Sequence, residues 1–438
     1  MVATAKRWWV ISAVLFMGVC GAGFAGMVWY PSPTASVVTS RDLSFVAPSE
    51  VGLSAERLKR LDDGLQAMID DGKLAGVVTL LARHGKIAFV DVAGVQDIES
   101  QRPMSRDSIF RIYSMTKPIV GVAMMMLYEE GQWRLNDPVS QFIPEFAELS
   151  VYEGDNPDGS MKLVDANRLM TMRELMTHTA GLSYSLDMRH PVNRLFEDLP
   201  VRDPMKPLQV MIDRLSTLPL LVQPGTRYIY SSAVDVQGYL VELLSGQPLG
   251  EFLDERIFGP LGMSDTAFFV PPSERDRHAL RHAANDDGKL VLNSRGEPFS
   301  ETPPGPSGGG GLFGTADDYL RFTQMLLNEG EFQGTRLLAP RTVQMMRTNH
   351  MSAEATAQMH QTRPGMGFGM DFMVYMDPAA AGEPHMPGAY YWLGIDGTWF
   401  WIDPELDLAF VGMIQHQGAA QREVHGLSRN WVYQAVVH

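Results

Sequence analysis

The sequence predicts an α+β fold: an antiparallel sheet built from both chain ends, flanked by helices, with a mainly helical region inserted between. Three observations carry this. Two β-branched runs, residues 77–82 and 87–92, lie near the front of the chain. Three more apolar and aromatic runs, 390–394, 398–402 and 408–414, lie near its end. Between them the apolar rhythm is helical, is broken by Pro- and Gly-rich stretches and shows no internal repeat. Strands gathered at the two ends argue against alternating βαβ units and for one sheet with its helices segregated.

Taken in order, Lys6-Arg7 precede an uncharged stretch from Trp8 to Tyr30, closed by Pro31. A basic region followed by an apolar run reads as a signal peptide or an uncleaved N-terminal membrane anchor over residues 1–30. Residues 8–30 are long enough to tether the chain to a bilayer. The basic end stays in the cytoplasm, so the body is expected to be exported, periplasmic or extracellular. Residues 31–47 form a linker and 48–438 one large domain. Ser54 caps a helix whose apolar positions are Leu58, Leu61, Leu65, Met68 and Ile69. His84-Gly85-Lys86 separates the first two strands into a hairpin. The apolar run 119–127 is a buried helix headed by Ser114. Residues 144–165 read as loop, and 175–182 as a helix end with Gly181 as its stop. Prolines make 186–224 an irregular helical insertion. Helices are expected over 236–245, 249–257 and 317–327, with a Pro/Gly-rich loop over 297–311. Gly397 and Asp403-Pro404-Glu405 divide the C-terminal runs into a three-stranded meander, and the tail from Arg422 is a last helix.

The chain has 438 residues, 45% hydrophobic, with 36 Lys+Arg against 51 Asp+Glu and a net charge of −15. No basic block appears in the body, which argues against nucleic-acid binding. Its one cysteine, Cys20, lies in the N-terminal apolar stretch. The body therefore has neither a disulfide nor a thiolate metal site, and suits an oxidising compartment. His278 and His282 are spaced to share a helix face, but no third ligand accompanies them. No metal is expected.

Three stretches carry chemistry. In Ser114-Met115-Thr116-Lys117, a serine at a helix start would have a lysine one turn later on the same face. Such an amine can take the proton that makes a hydroxyl a poor nucleophile, and the helix start favours developing negative charge. A helix cap accounts for the tetrapeptide equally well. In Arg227-Tyr228-Ile229-Tyr230-Ser231-Ser232, Tyr230 is a second base if an adjacent ammonium stabilises its phenolate; the alternative is a pair of core aromatics. In Trp392-Leu393-Gly394, the glycine would let a substrate lie close, and the next amide, that of Ile395, can point at an oxyanion. Two other matches are weaker. Gly305-Pro306-Ser307-Gly308-Gly309 has the letters of a nucleophile elbow, but prolines precede it and glycines follow, so it reads as loop. Gly309-x-Gly311-x-x-Gly314 has the letters of a dinucleotide fingerprint without a strand in front.

In this order and at these separations, the three stretches resemble the serine β-lactamase and penicillin-binding-protein superfamily. The resemblance is to its class C-like branch, closest to the family VIII carboxylesterases. His178-Thr179-Ala180-Gly181-Leu182, Pro260-Leu261-Gly262-Met263 and Gly309-Gly310-Gly311-Leu312 resemble further landmarks, and the similarity spans roughly residues 48–436. The resemblance implies a β-lactamase/DD-peptidase-like fold. It also implies Ser114 as the acylated nucleophile, Lys117 and Tyr230 as base and proton shuttle, and the N–H groups of Ser114 and Ile395 as the oxyanion hole. Tyr113, Trp392 and Gly394 then belong to the substrate side, and no cofactor is needed. The expected activity is hydrolysis of small or medium acyl esters. The alternatives are a β-lactamase, a D-alanyl-D-alanine carboxypeptidase or another amide hydrolase on the same fold. A non-catalytic protein that kept the fold is disfavoured because Ser114, Lys117 and Tyr230 are all present. Two positions depart from the family: Ser232 stands where Asn is usual, and Trp392 where Lys is usual. The second removes a cation that would hold a substrate carboxylate. It therefore argues for uncharged esters, unless His385 or an arginine from elsewhere in the chain restores the charge.

Overall fold

The computed structural model describes residues 41–184, 186–293 and 298–438. The expected signal or anchor over 1–30, and the linker as far as residue 40, lie outside the described residues. Among those described, no helix is long and apolar enough to cross a membrane. The described end of the linker, residues 41–47, runs beside the first hairpin. Leu43 N–H donates to Gly85 O (3.0 Å) and Val46 N–H to Ile87 O (3.1 Å).

The hairpin is β1 (Gly76–Arg83) and β2 (Lys86–Asp97), with β3 (Arg102–Pro103) at its outer edge. His84 and Gly85 both have positive φ, 52° and 72°, the backbone that a two-residue turn between right-twisted strands requires. On the other side β1 pairs antiparallel with β8 (Leu408–Met413), from Val78↔Met413 to Arg83↔Leu408. The two chain ends thus share one sheet. It continues through β7 (Trp399–Asp403) and β6 (Tyr390–Leu393) to two strands the sequence reading missed, β5 (Met373–Tyr375) and β4 (Met366–Phe368). The order is β4-β5-β6-β7-β8-β1-β2-β3. β4 and β5 are three residues each, too short to show a period of two.

Side chains alternate across the sheet and split the core in two. Val77 and Leu81 of β1 face helix α1 (Ala55–Asp70) and the C-terminal helix Ala419–Tyr433. α1 is capped by Ser54 Oγ, which accepts from Arg57 N–H (3.3 Å), and buries Leu58, Leu61, Leu65 and Met68. Val78, Leu80 and Ala82 face the larger core, around α2 (Thr116–Glu129), α3 (Met172–Met176), α4 (Ala233–Ser245) and α5 (Ala316–Leu327). The C-terminal helix is α6.

Three local readings need correction. Residues expected as loop over 144–165 contain a hairpin, Ser150–Asp155 with Met161–Asp165, whose mostly polar and exposed residues hide it in the sequence. α3 ends at Met176, so Gly181 is not its stop. Glycine is required there on two counts: φ is 87°, and Val222 O occupies the space where a Cβ would sit. His278 and His282 do not share a helix; His282 opens a short strand, His282–Ala284.

Candidate active site

The nucleophile candidate is placed by a sharp change of direction. Phe110–Arg111 pairs with Phe313–Gly314, then Tyr113–Met115 makes a single 3₁₀ turn and α2 begins at Thr116. Tyr113 has φ 45°, a left-handed conformation that costs a bulky side chain about 1–3 kcal/mol. The Arg111 guanidinium lies 4.6 Å over its ring. From Thr116 to Leu127 every α2 residue is buried, and the run of Val, Ala and Met that marked the helix in the sequence is why. Lys117 rides into the core with it.

The three candidate side chains converge as expected. Ser114 Oγ is 2.6 Å from Tyr230 OH and 3.4 Å from Lys117 Nζ. Lys117 Nζ also donates to Gly309 O (2.5 Å) and sits 4.7 Å over the Tyr230 ring. Tyr228 makes no such contact with Ser114; its ring packs on Phe368, 5.1 Å between centroids. Tyr230 is held by its chain neighbours. Ile229 N–H donates to His178 O (2.8 Å) and Ser231 N–H to His178 Nδ1 (3.2 Å). The Gly309 carbonyl is held in turn by Asp235 at the start of α4. Its Oδ1 accepts from Gly309 N–H (3.0 Å) and Ser307 Oγ (2.5 Å). Asp235 was not singled out from the sequence, because an acid in a first helical turn reads as an ordinary cap. Ser307 is thereby a loop-holding residue, with no strand leading into it.

Burial sets the protonation of the pair. Desolvation pushes the Lys117 ammonium below the ordinary lysine range, against the opposing pull of Tyr184, Asp235 and Asp371. Desolvation also pushes the Tyr230 phenol above its ordinary value, although the Ser114 hydrogen bond works the other way. The expectation that a neighbouring ammonium favours the phenolate is not met: both groups are driven toward their neutral forms. His178, completely buried, is likewise held neutral, by desolvation first and by Lys117 second.

The site opens on a cavity of about 930 Å³, lined by Tyr113, Ser114, Tyr230, Trp392 and Ile395 among others. Trp392 is a wall residue, 8% exposed, its ring 5.7 Å from Tyr230 and 5.5 Å from Phe368. Ile395 is exposed at the end of β6. Gly394 has a different reason from the one expected. A Cβ there would come within 2.7 Å of Ile112 O and would also collide with the Thr398 hydroxyl. The space a side chain would fill is taken by the nucleophile's own turn rather than left for a substrate. Thr398 Oγ1 donates to the same Ile112 carbonyl (3.2 Å), so β6 and the Ser114 turn are fastened together. His385 does not restore a cation beside Trp392; it is bonded to Tyr433 OH (2.6 Å) and packed on Tyr375. Arginines do reach the cavity wall: Arg111, Arg202, Arg363 and Arg422.

Comparison with known proteins gives a consistent picture. The Beta-lactamase family model matches residues 61–432. Protein Rv1367c of Mycobacterium tuberculosis is 38% identical over 365 residues, covering 81% of this chain and 90% of that one. Esterase EstB of Burkholderia gladioli is 34% identical over 382 residues, covering 83% and 91%. Among solved structures, EstCE1, described as a hydrolase with promiscuous acyltransferase activity, is 28% identical. It superposes with a TM-score of 0.71 over 86% of this chain and 99% of its own.

Proposed function

The chain belongs to the Beta-lactamase family and is a serine hydrolase, and we propose that it cleaves small and medium acyl esters through an acyl-enzyme on Ser114. The observation that carries this reading is the pair of contacts on Ser114 Oγ, Tyr230 OH at 2.6 Å and Lys117 Nζ at 3.4 Å, at the edge of a cavity. In the first step Oγ attacks the ester carbonyl carbon. Its proton passes to the Lys117 amine, directly or by relay through the Tyr230 hydroxyl. The carbonyl oxygen, now an oxyanion, takes hydrogen bonds from the Ser114 and Ile395 N–H groups. The tetrahedral intermediate collapses, the C–O bond to the alcohol breaks, and the departing oxygen takes the proton back from the same pair. A water then attacks the acyl-enzyme, its proton follows the same route, and Ser114 leaves as the hydroxyl with the acid released.

The test is a comparison of p-nitrophenyl butyrate with nitrocefin on the purified protein. The ester should turn over and the lactam should be slow. Ser114→Ala should abolish ester turnover, and a fluorophosphonate should label Ser114. Labelling at Ser307 would sink the assignment. Export is a further part of the proposal, motivated by Lys6-Arg7 ahead of the apolar run 8–30. Cell fractionation checks it, and an all-cytosolic protein would count against it.

A further inference from the structure

We propose that the physiological ester carries a negative charge, a carboxylate in the simplest case, on the part of the molecule away from the scissile bond. This rests on the ester-hydrolase reading above and names its substrate class. The chain as a whole is strongly acidic, with a net charge of −15, and so repels anions at long range. Its cavity wall has the opposite bias. Arg111, Arg202, Lys206, Arg363 and Arg422 line it, against the carboxylates of Asp203 and Asp235. Asp235 is already engaged in holding Ser307 and Gly309.

What marks these cations is that five of them share one cavity wall without a carboxylate partner among the described residues. Elsewhere in the structure some arginines meet carboxylates, as Arg106 does Asp317 and Arg277 does Asp265, and others are held by neutral groups, as Arg83 is by the carbonyls of Val51 and Leu406. Among the described residues, none of the five cations of the cavity wall has a carboxylate at ion-pair distance. Arg202 donates to the Tyr184 hydroxyl (2.7 Å), a phenol that burial keeps neutral. Arg363 lies 6.0 Å from the Tyr228 ring centroid and Arg111 over Tyr113, contacts that leave the positive charge uncompensated. Arg111 Nε is buried with no hydrogen-bond partner. A solvated surface patch would account for exposed cations such as Arg422. It does not account for a half-buried guanidinium with an orphaned N–H, in the same wall and in an acidic protein. Charge of one sign around a cleft with low-dielectric walls concentrates the field inside it and raises encounter with the opposite charge. A neutral ester makes no use of that field. An ester with a carboxylate end does, while Phe268, Phe299 and Phe313 take its apolar body. The cation lost at Trp392 is in this way replaced by arginines brought from other parts of the chain.

The test uses the full chain and two substrates with one leaving group: p-nitrophenyl hydrogen adipate and its methyl ester. At low ionic strength kcat/KM should favour the monoanion by about ten-fold or more, within the range of electrostatic steering. The preference should shrink toward parity in 0.5 M salt. Arg363→Gln combined with Arg422→Gln, both at exposed positions that the fold tolerates, should reduce the ratio. Arg111→Gln should reduce it further. A preference for the methyl ester, a ratio indifferent to salt, or a ratio unchanged in these variants each overturns the inference while leaving the esterase reading intact. Absence of Ser114-dependent hydrolysis of both substrates overturns the two together.

Discussion

Neutralising Asp396 should cost the protein both stability and turnover. Asp396 follows Ile395, whose N–H is assigned to the oxyanion hole, and it is completely buried. Its Oδ2 lies 2.7 Å from Nε of Arg281, whose side chain is 6% exposed. The carboxylate makes no well-aligned hydrogen bond among the described groups, so charge rather than geometry holds the pair. Arg281 is itself anchored, donating to Asn293 O (3.1 Å) and to the Gln417 side chain. The ion pair thus adds to the backbone hydrogen bonds of the turn, such as His416 N–H to Asp396 O (2.7 Å), on the buried side, while Ile395 faces the cavity. Asp396→Asn leaves a buried guanidinium without a counter-charge, a loss of about 3–5 kcal/mol. A turn free to shift also misplaces the Ile395 N–H. Since loss of one oxyanion donor costs about 10²–10³-fold, a displaced donor should lower kcat by about 10–100-fold, with a smaller change in KM. Guanidinium chloride unfolding and steady-state kinetics on p-nitrophenyl butyrate read the two effects. Arg281→Met with Asp396→Leu removes both charges and should recover much of the stability but not the rate. If Asp396→Asn unfolds within about 0.5 kcal/mol of wild type, the scatter of a neutral surface change, and keeps its kcat, the backbone alone holds the turn and the reasoning fails.

Further outcomes can be stated for other parts of the site. Lys117→Ala and Tyr230→Phe should each lower kcat by about 10²-fold or more, and the double variant should be little worse than the poorer single one. A large loss for Tyr228→Phe with none for Tyr230→Phe would transfer the role. As burial lowers the lysine, the rising limb of kcat/KM against pH should lie below the ordinary lysine value and vanish in Lys117→Ala. Gly394→Ala must push β6 off the nucleophile's turn, so kcat and thermal stability should fall together; unchanged kcat would show the fastening is irrelevant. Burial holds His425 down to about 4, against an opposing hydrogen bond to Gly397 O. The folded state then binds fewer protons than the unfolded one below pH 6.5. The stability that His425 contributes is lost as pH falls from there toward 4. Tm measured at pH 7 and 4.5 should drop accordingly, and less so in His425→Gln.

Much of this was open to sequence reasoning, for a physical reason in each case. β1, β2, β7 and β8 are long enough, and apolar enough, to declare themselves. Ser114 and Lys117 sit one turn apart, so a local motif captures them. Tyr230 lies 116 residues from Ser114; alone it reads equally as a core aromatic, and the resemblance of the whole ordered set decides for it. Arg281 and Asp396 are polar residues far apart in the chain, and each alone reads as solvated surface. Their pairing is a product of the fold: the short strand His416–Gln417, just past β8, pairs parallel with His282–Ala283, the residues that follow Arg281. The arginines of the cavity wall were hidden in the same way, coming from the approach to Ser114, the helical insertion, the segment before β4 and the first turn of α6.

The protonation of the catalytic pair shows most clearly what a sequence cannot carry. An ammonium beside a phenol, in a solvated site, favours the phenolate. Lys117 and Tyr230 are instead both taken out of water, and desolvation disfavours the charged form of each. The ion pair of ammonium and phenolate is then the costly state, and burial biases each group toward its neutral form. On the proposed mechanism this gives different roles to two residues that the sequence could treat only as a unit. The amine, in its neutral form, has the lone pair to accept the serine proton; the phenol, 2.6 Å from Oγ, can donate and accept at once and so relay it. The ammonium that results is not left isolated. It donates to Gly309 O, lies over the Tyr230 ring and forms just as negative charge appears on the substrate oxygen. Burial, which biases the lysine toward the amine that a base must be, thus also makes its charge most useful in the proposed transition state, where a low-dielectric surrounding strengthens every electrostatic contact.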